Sequence, residues 1–367
     1  MDKIIVITTN IAPYRKRWCE ELAKFYKVMI VYTKDHDYER DDRWLQKHSE
    51  SCEIFKLKND KDKYDPVCFD VIDVIRKNRD ALIIFDGYGP KTNLIGLIYC
   101  RLTGRKTFTN VDGFPLGEKS SRLKDALKKQ IISRLCTYFF CSSKATRQHL
   151  IENGADPEKI TVHNFSSITD DDVIERPLND DEKRDVRNRL GISSKKQIVI
   201  SVGAFIPRKR YEDLIRAVIS CQTDCDLYLV GGKPTDEYLE LAGGSDRIHF
   251  VDFVMPDEVY WYYRASNLFV LPSQTDVWGL VINEAMAQGL PVISSDNCVA
   301  SLALVDGNGI IYRTGDVDAL IEAIDICLDK DSNRKMSERS LEIIREFTIE
   351  NTVRLQKPVI DVYFELR

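Results

Sequence analysis

The chain lacks the marks of a membrane span, an oxidising compartment or a nucleic-acid partner. None of its apolar runs reaches membrane-spanning length. The opening residues, MDKIIVITTN, lack the basic start, long apolar core and small-residue cleavage site of a signal peptide, and read as a first buried strand. The ten cysteines include no CxxC pair. Cys221 and Cys225 are four apart, but no second pair or histidine cluster accompanies them, which argues against zinc. They read as reduced, mostly buried thiols of a cytoplasmic protein. The five histidines are dispersed, and no Ser/His/Asp arrangement stands out. A formal charge of −5 argues against a general nucleic-acid binder, so no nucleic acid is expected as a partner.

What is present is a 367-residue chain, 43% hydrophobic, with enough length for two cores. Short Val/Ile/Leu runs alternate with helical patterns. KIIVITT (3–9), KVMIVYT (27–33), ALIIFDG (81–87), KTFTNVDG (106–113), TYFFCSS (137–143) and KITVHNF (159–165) form a first set. IVISVG (198–203), DLYLVGG (226–232), RIHFVDF (247–253), NLFVLPS (267–273) and PVISS (291–295) form a second. Such runs indicate parallel sheets covered on both faces. The polar stretch 166–196 between them carries little core material and reads as a connector, with a short helix near 180–190 leading to Gly191. Residues 316–365 read as two or three helices. The expected fold class is α/β, with two doubly wound, Rossmann-like domains facing across a cleft. The expected divisions are 1–165, the connector 166–196, 197–345, and a C-terminal helix 346–367 crossing back to the first domain. Ligands of such sheets bind beyond the carboxyl ends of the strands.

The stretch SQTDVWGLVINEAMAQGLPVISS (273–295) places Asp276 in a loop after a strand and Glu284 inside the helix that follows. Gly279 suits a tight turn, Gly289 a helix C-cap and Pro291 a stop. The helix N–H groups near Gly279 and Leu280, with the positive end of the helix dipole, make an anion site suited to a diphosphate. An acid on either side could hold sugar hydroxyls. The other reading, a solvated loop Asp and a surface helix Glu, stands equally open on spacing alone.

The whole motif, PSQTDVWGLVINEAMAQGLPVIS, resembles the donor-site signature of the family 4 retaining glycosyltransferases of GT-B fold. VGAFIPRKRYEDLIRAV (202–218) and IAPYRKRWCEELAK (11–24) resemble the family's basic strand–loop–helix and its first loop and helix. TNVDGF (109–114), HNFSSITDDDV (163–173) and DNCVASLALVDGNGIIY (296–312) resemble a branch found in capsule, O-antigen and exopolysaccharide clusters. The resemblance implies that Glu284 binds ribose, Asp276 the donor sugar, and Lys209 and Arg208 the diphosphate, in the loop that begins at Gly203. It implies that Asp112 touches the donor sugar from the first domain and that the backbone near Phe253 and Val254 meets the base. Ala204 and Ala303 depart from the family pattern, which has Arg and Glu at those places in many members.

The activity implied is retaining transfer of a hexose or N-acetylhexosamine from a nucleotide-sugar, UDP preferred, to a glycan acceptor, polyprenyl-diphosphate-linked in this branch. No cofactor and no bound metal are implied. Asp170–Asp172 matches a metal motif by letters alone and reads as solvated or capping. The alternatives are an epimerase or hydrolase of the same fold, or a non-catalytic nucleotide- or glycan-binding protein. Tyr14 and Arg15 fall at the end of the first strand and suit either acceptor-side binding or an ordinary helix start. Residues 119–134 carry six basic residues and one acid, with Leu123, Leu127 and Ile131 in helical register. They read as a helix that either lies on an anionic membrane, at the inner face, or packs its leucines on the sheet.

Overall fold

The computed structural model describes residues 1–36, 42–46, 48–58, 64–117, 121–193 and 195–366. They form two units, one of Met1–Phe114, Lys119–Ser167 and Thr348–Arg367, the other of Pro115–Glu118 and Ile168–Phe347. Unit 1 runs β1 (Lys3–Thr8), α1 (Pro13–Ala23), β2 (Lys27–Tyr32), β3 (Glu53–Lys56), α2 (Val71–Lys77), β4 (Leu82–Asp86) and α3 (Lys91–Leu102). It continues through β5 (Thr107–Val111), α4 (Arg122–Arg134), β6 (Tyr138–Cys141), α5 (Lys144–Glu152) and β7 (Ile160–Val162). Its sheet has the order β3-β2-β1-β4-β5-β6-β7, and every pairing is parallel.

Unit 2 begins with α6 (Asp180–Arg189), β8 (Gln197–Val202), α7 (Tyr211–Ser220), β9 (Cys225–Val230), α8 (Asp236–Ala242), β10 (Ile248–Val251) and α9 (Pro256–Ala265). It continues with β11 (Leu268–Leu271), α10 (Leu280–Ala287), β12 (Val292–Ser295), α11 (Val299–Leu304), β13 (Gly309–Tyr312), α12 (Val317–Leu328) and α13 (Lys330–Ile344). A last helix, α14 (Ile349–Glu365), belongs to unit 1. The second sheet is β10-β9-β8-β11-β12-β13, also parallel throughout.

The strands bury both faces because successive side chains alternate across the sheet. In unit 1, Ile4, Val6, Leu82, Ile84 and Phe108 pack on Trp18 and Leu22 of α1 and on Ile349, Val353 and Ile360 of α14. Ile5, Ile7, Ile83 and Phe85 face the other way, onto Val71, Ile75 and Leu97. α14 is fastened by polar contacts too: Trp18 Nε1 donates to Gln356 Oε1 at 2.8 Å and Tyr26 Oη to Asp361 Oδ1 at 2.6 Å. β3 went unread in the sequence because it is an edge strand with little burial.

The polar stretch after residue 167 is part of unit 2, and the reason is chemical. α6 is capped by Asn179, whose side chain accepts from Asp181 and Glu182 N–H groups. It then docks by its cations. Lys183 Nζ donates to Ser266 O at 2.8 Å, and Arg187 Nε and Nη2 to Ala265 O and Asn267 Oδ1, both at 2.8 Å. A helix with hardly any apolar residues is thus held by buried hydrogen bonds to the end of α9. Asp172 caps its own turn, accepting from Thr169 N at 2.8 Å and Oγ1 at 3.0 Å.

Both sheets reverse winding direction beside their first strand. The switch points lie between β1 and β4, and between β8 and β11. Ligand crevices of doubly wound sheets open at such points.

A cation–carboxylate site at the second switch point

The loop after β8 and the loop after β11 leave the sheet side by side, and Gln274 N donates to Arg208 O at 2.7 Å between them. Lys209 ends a short turn, Pro207–Lys209. Its side chain is buried, and Nζ donates to Asp276 Oδ2 at 2.7 Å. Arg208 Nη1 lies 3.8 Å from the same oxygen. Asp276 is held by a one-residue parallel bridge to Cys298: its N–H donates to Asn297 O at 3.0 Å and its carbonyl accepts from Val299 N at 3.3 Å. Gly203 is needed where Lys209 crosses the strand end. A Cβ there would sit 3.3 Å from Lys209 Cε, and the backbone has φ 149°. Tyr211 Oη donates to Gly203 O at 3.1 Å and fixes that carbonyl.

Gly279 precedes α10 with φ 98°, and a Cβ would meet Cys298 Sγ at 2.8 Å. The first-turn N–H groups at Leu280 and Val281 have no intrahelical acceptor and carry the positive end of the helix dipole. One turn on, Glu284 Oε2 accepts from the buried Tyr263 Oη at 3.2 Å. Burial and the Glu284 charge hold that phenol well above its ordinary pKa, so it remains a donor. Phe253 and Val254 are half-buried in the loop after β10, two strands from β8, with Phe253 N donating to Asp252 Oδ1 at 2.6 Å. Lys209, Arg208, Asp276 and Gly203 therefore meet directly. Gly279, Leu280 and Glu284 continue the Asp276 loop. Tyr263, the partner of Glu284, was missed in the sequence because it lies in a different helix and reads as one more core aromatic.

The first switch point carries a second cluster. Arg15 is buried, and its Nη2 contacts Asp86 Oδ1 at 2.5 Å and Asp112 Oδ2 at 2.8 Å. Thr8 Oγ1 donates to Asp86 Oδ2 at 2.7 Å. Burial works against the Arg15 charge, but Asp112 and Asp86 outweigh it and raise its pKa. Burial pushes Asp112 up to about 6 against the pull of Arg15, with Asp86 adding to the rise. Asp112 Oδ1 and Arg15 Nε are buried without a hydrogen-bond partner among the described residues. Of the two readings of Tyr14 and Arg15, acceptor-side binding or an ordinary helix start, both stay open: the Arg15 guanidinium pairs with two carboxylates inside the unit and orients Asp112. Tyr14 is half-buried, edge-on to Phe165 at 5.5 Å. Asp86 was the residue missed. It ends the run ALIIFDG, and its place beside the switch point is visible only once the strand order is known. His163 is structural: it is buried, bonded to Gln356 and held neutral by burial, its pKa lowered to about 3.

Residues 182–342 match the family model described as Glycosyl transferases group 1. That span contains the whole Lys209–Asp276–Glu284 constellation. Among curated proteins, the chain is 32% identical over 209 residues to a D-inositol 3-phosphate glycosyltransferase of Corynebacterium glutamicum, covering 53% of this chain and 49% of the relative. The chain thus spans about half the length of that relative. Among solved structures, it superposes on sucrose-phosphate synthase from Thermosynechococcus elongatus with TM-score 0.82 at 19% identity, covering 100% of both chains. It superposes on Anabaena Alr3699/HepE, solved with UDP-glucose, with TM-score 0.74 at 17% identity and 99% coverage of each chain. The fold is GT-B, with two parallel-sheet α/β units.

Proposed function

We propose that this chain is a retaining glycosyltransferase that moves a hexose or N-acetylhexosamine from a nucleotide-sugar, a UDP-sugar foremost, to a hydroxyl of a glycan acceptor. The observation that carries the proposal is the convergence of Lys209 and Arg208 on Asp276 at the β8/β11 switch point, beside the α10 N-terminus. A diphosphate would exchange with the Asp276 carboxylate for those cations and take the Leu280 and Val281 N–H groups. Asp276, released from Lys209, would then accept hydrogen bonds from the donor sugar. Glu284, with one oxygen held by Tyr263, would accept from the ribose hydroxyls, and the backbone at Phe253 and Val254 would meet the base. Asp112, oriented by Arg15, would offer its unpartnered Oδ1 to a sugar hydroxyl, with Tyr14 on the acceptor side. HepE, solved with UDP-glucose on the same fold, supports a nucleotide-sugar donor.

In this reaction the leaving diphosphate is stabilised as its charge develops, a term worth roughly 3–4 kcal/mol per well-placed donor. The anomeric carbon becomes oxocarbenium-like, and the acceptor attacks on the face the phosphate leaves. The phosphate takes the acceptor proton, so no separate base is required. No divalent metal enters this scheme. Chelation by EDTA should leave turnover intact, and its loss with recovery on Mg²⁺ or Mn²⁺ would remove this part of the proposal.

A lipid-linked acceptor in surface polysaccharide synthesis, met at the inner face of the membrane, suits α4. The helix was expected to bury Leu123, Leu127 and Ile131 if it simply packed on the sheet. Instead Leu123 and Leu127 are 80% and 60% exposed, and the anchor is Ile132, packed among Val111, Phe139 and Leu150. Lys124 and Lys129 are exposed beside the leucines. Lys119 and Ser120 of the expected helix lie outside the described residues. Basic side chains around projecting leucines suit an anionic lipid surface. No described helix is long and apolar enough to cross a membrane.

The deciding experiment is calorimetric titration with UDP, GDP and their sugars, alongside nucleotide release with and without a lipid-linked acceptor extract. UDP binding with acceptor-dependent release supports the transferase. Acceptor-independent release favours a hydrolase, and an epimerised donor without release an epimerase. No binding to any nucleotide would mean that Ala204 and Ala303 mark a site that has lost its ligand.

A further inference from the structure

At the opposite ends of the unit 2 strands from the nucleotide site, two thiols sit under one guanidinium. Cys221 follows α7 and Cys225 opens β9, and their sulfurs are 3.6 Å apart. Arg247 Nη2 lies 3.4 Å from Cys221 Sγ and 3.6 Å from Cys225 Sγ. The same side chain is fixed by backbone carbonyls, with Nε donating to Cys225 O at 2.9 Å and Nη2 to Thr223 O at 3.1 Å. The intervening turn is held as well. Asp325 of α12 accepts from Gln222 N at 3.2 Å, Thr223 N at 2.9 Å and Thr223 Oγ1 at 2.7 Å. Arg247 thus pins the turn through its carbonyls and at the same time sets a positive charge against two adjacent sulfurs.

We infer that Cys221 and Cys225 form an oxidant-responsive dithiol, in which Cys221 attacks a small-molecule disulfide and Cys225 then closes an intramolecular disulfide. Both thiols are buried, but Cys221 keeps 7% exposure beside the exposed turn at Gln222 and Asp224 while Cys225 has none, so Cys221 is the nucleophile. The Cys221 thiolate bonds to one sulfur of the disulfide RSSR and expels RS⁻. The Cys225 thiol gives its proton to solvent, its sulfur bonds to Cys221 Sγ, and the second RS⁻ leaves. The sum is one RSSR reduced to two RSH while two protein thiols become one cystine. The sulfurs need to close from 3.6 Å to about 2.05 Å.

The electrostatics agree. The hydrogen bond from Cys225 and the Arg247 charge outweigh burial and the Asp325 carboxylate, bringing Cys221 down to about 7. Burial instead pushes Cys136, Cys141, Cys298 and Cys327 up to about 12. Cys225 is raised, first by its hydrogen bond to Cys221, so it reacts second. The thiolate is the attacking form, so selectivity follows from this difference.

The test uses the full chain with oxidised glutathione, acid quenching, alkylation and peptide mapping, and does not depend on the glycosyltransferase reading. The Cys221–Cys225 disulfide should form before any other cysteine is modified. Cys225→Ser should stop at glutathione on Cys221, and Cys221→Ser should leave Cys225 unmodified. Arg247→Gln should cut the Cys221 thiolate fraction at pH 7 about fivefold for a one-unit rise in pKa and slow the reaction by about twofold or more, and Arg247→Lys less; circular dichroism checks the fold of each. Modification of another cysteine first, no modification of the native chain, or an Arg247→Gln rate equal to that of the parent would each overturn the inference.

Discussion

At the β1/β4 switch point one guanidinium lies between two carboxylates, while at the β8/β11 switch point two cations lie over one carboxylate. The topology at the two places is the same, and so is the position of the groups at strand ends. The sign of the surplus charge is opposite. The first cluster repels an anion and keeps a carboxylate oxygen unsatisfied. The second carries surplus positive charge beside a helix N-terminus, surroundings that favour an anion. A doubly wound sheet supplies the location, and the side chains decide what binds there.

Substitutions should separate the two clusters. The largest effect is expected from Arg15→Met, which leaves Asp86 and Asp112 facing each other without a counter-charge. A loss of about 3–5 kcal/mol of stability is expected in denaturant unfolding. Lys209→Ala should leave the fold intact and cut turnover by about a hundredfold or more. Asp276→Asn should cut turnover as deeply while holding UDP affinity within about fivefold, because Lys209 is then free for phosphate. If Asp276→Asn instead abolished UDP binding, the carboxylate would be supporting the cations and the contrast between the clusters would fail.

A smaller and signed effect comes from Asp112. Its folded pKa is raised, so the native state holds the proton more tightly than the unfolded chain between the ordinary carboxylate range and about 6. Its contribution to stability therefore falls as pH rises through that window. Unfolding curves at pH 4–7 for the parent and Asp112→Asn should converge toward acid and diverge toward neutrality, the parent being the less stable at neutral pH through this term. The smallest effect on stability, within about 0.5 kcal/mol, is expected from Leu123→Ser with Leu127→Ser. The same double change should abolish flotation with anionic liposomes. Equal flotation of parent and variant, or equal flotation with neutral vesicles, would remove the membrane role of α4.

Much of the fold was legible because buried parallel strands write themselves as apolar runs. IVISV and LFVL occupy the strands expected of them, and Gly289 follows α10 with φ 69°. The Asp276–Glu284 spacing and the PRK turn exposed half of the site, since those residues are contiguous in sequence with the elements that place them. The other half was not legible. Asp86 meets Arg15 across 71 residues and Tyr263 meets Glu284 across 21, and neither pair has a local pattern. α6 was misleading for a related reason: its docking uses lysine and arginine hydrogen bonds, which composition reads as solvent exposure. For α4 the leucine register left two readings open, and the structure leaves Leu123 and Leu127 exposed while Ile132 is buried.

The return of α14 to unit 1 has a consequence for how the molecule is made. Ile349, Val353 and Ile360 complete a core whose strands are all encoded before residue 168. During synthesis, that face of the first sheet has α1 but lacks its second cover, α14, while some 180 further residues are added, as counted from Ile168 to Phe347. Unit 2 needs no such late arrival. The second unit has its helices in hand as it emerges, whereas the core of the first is completed only by the last helix.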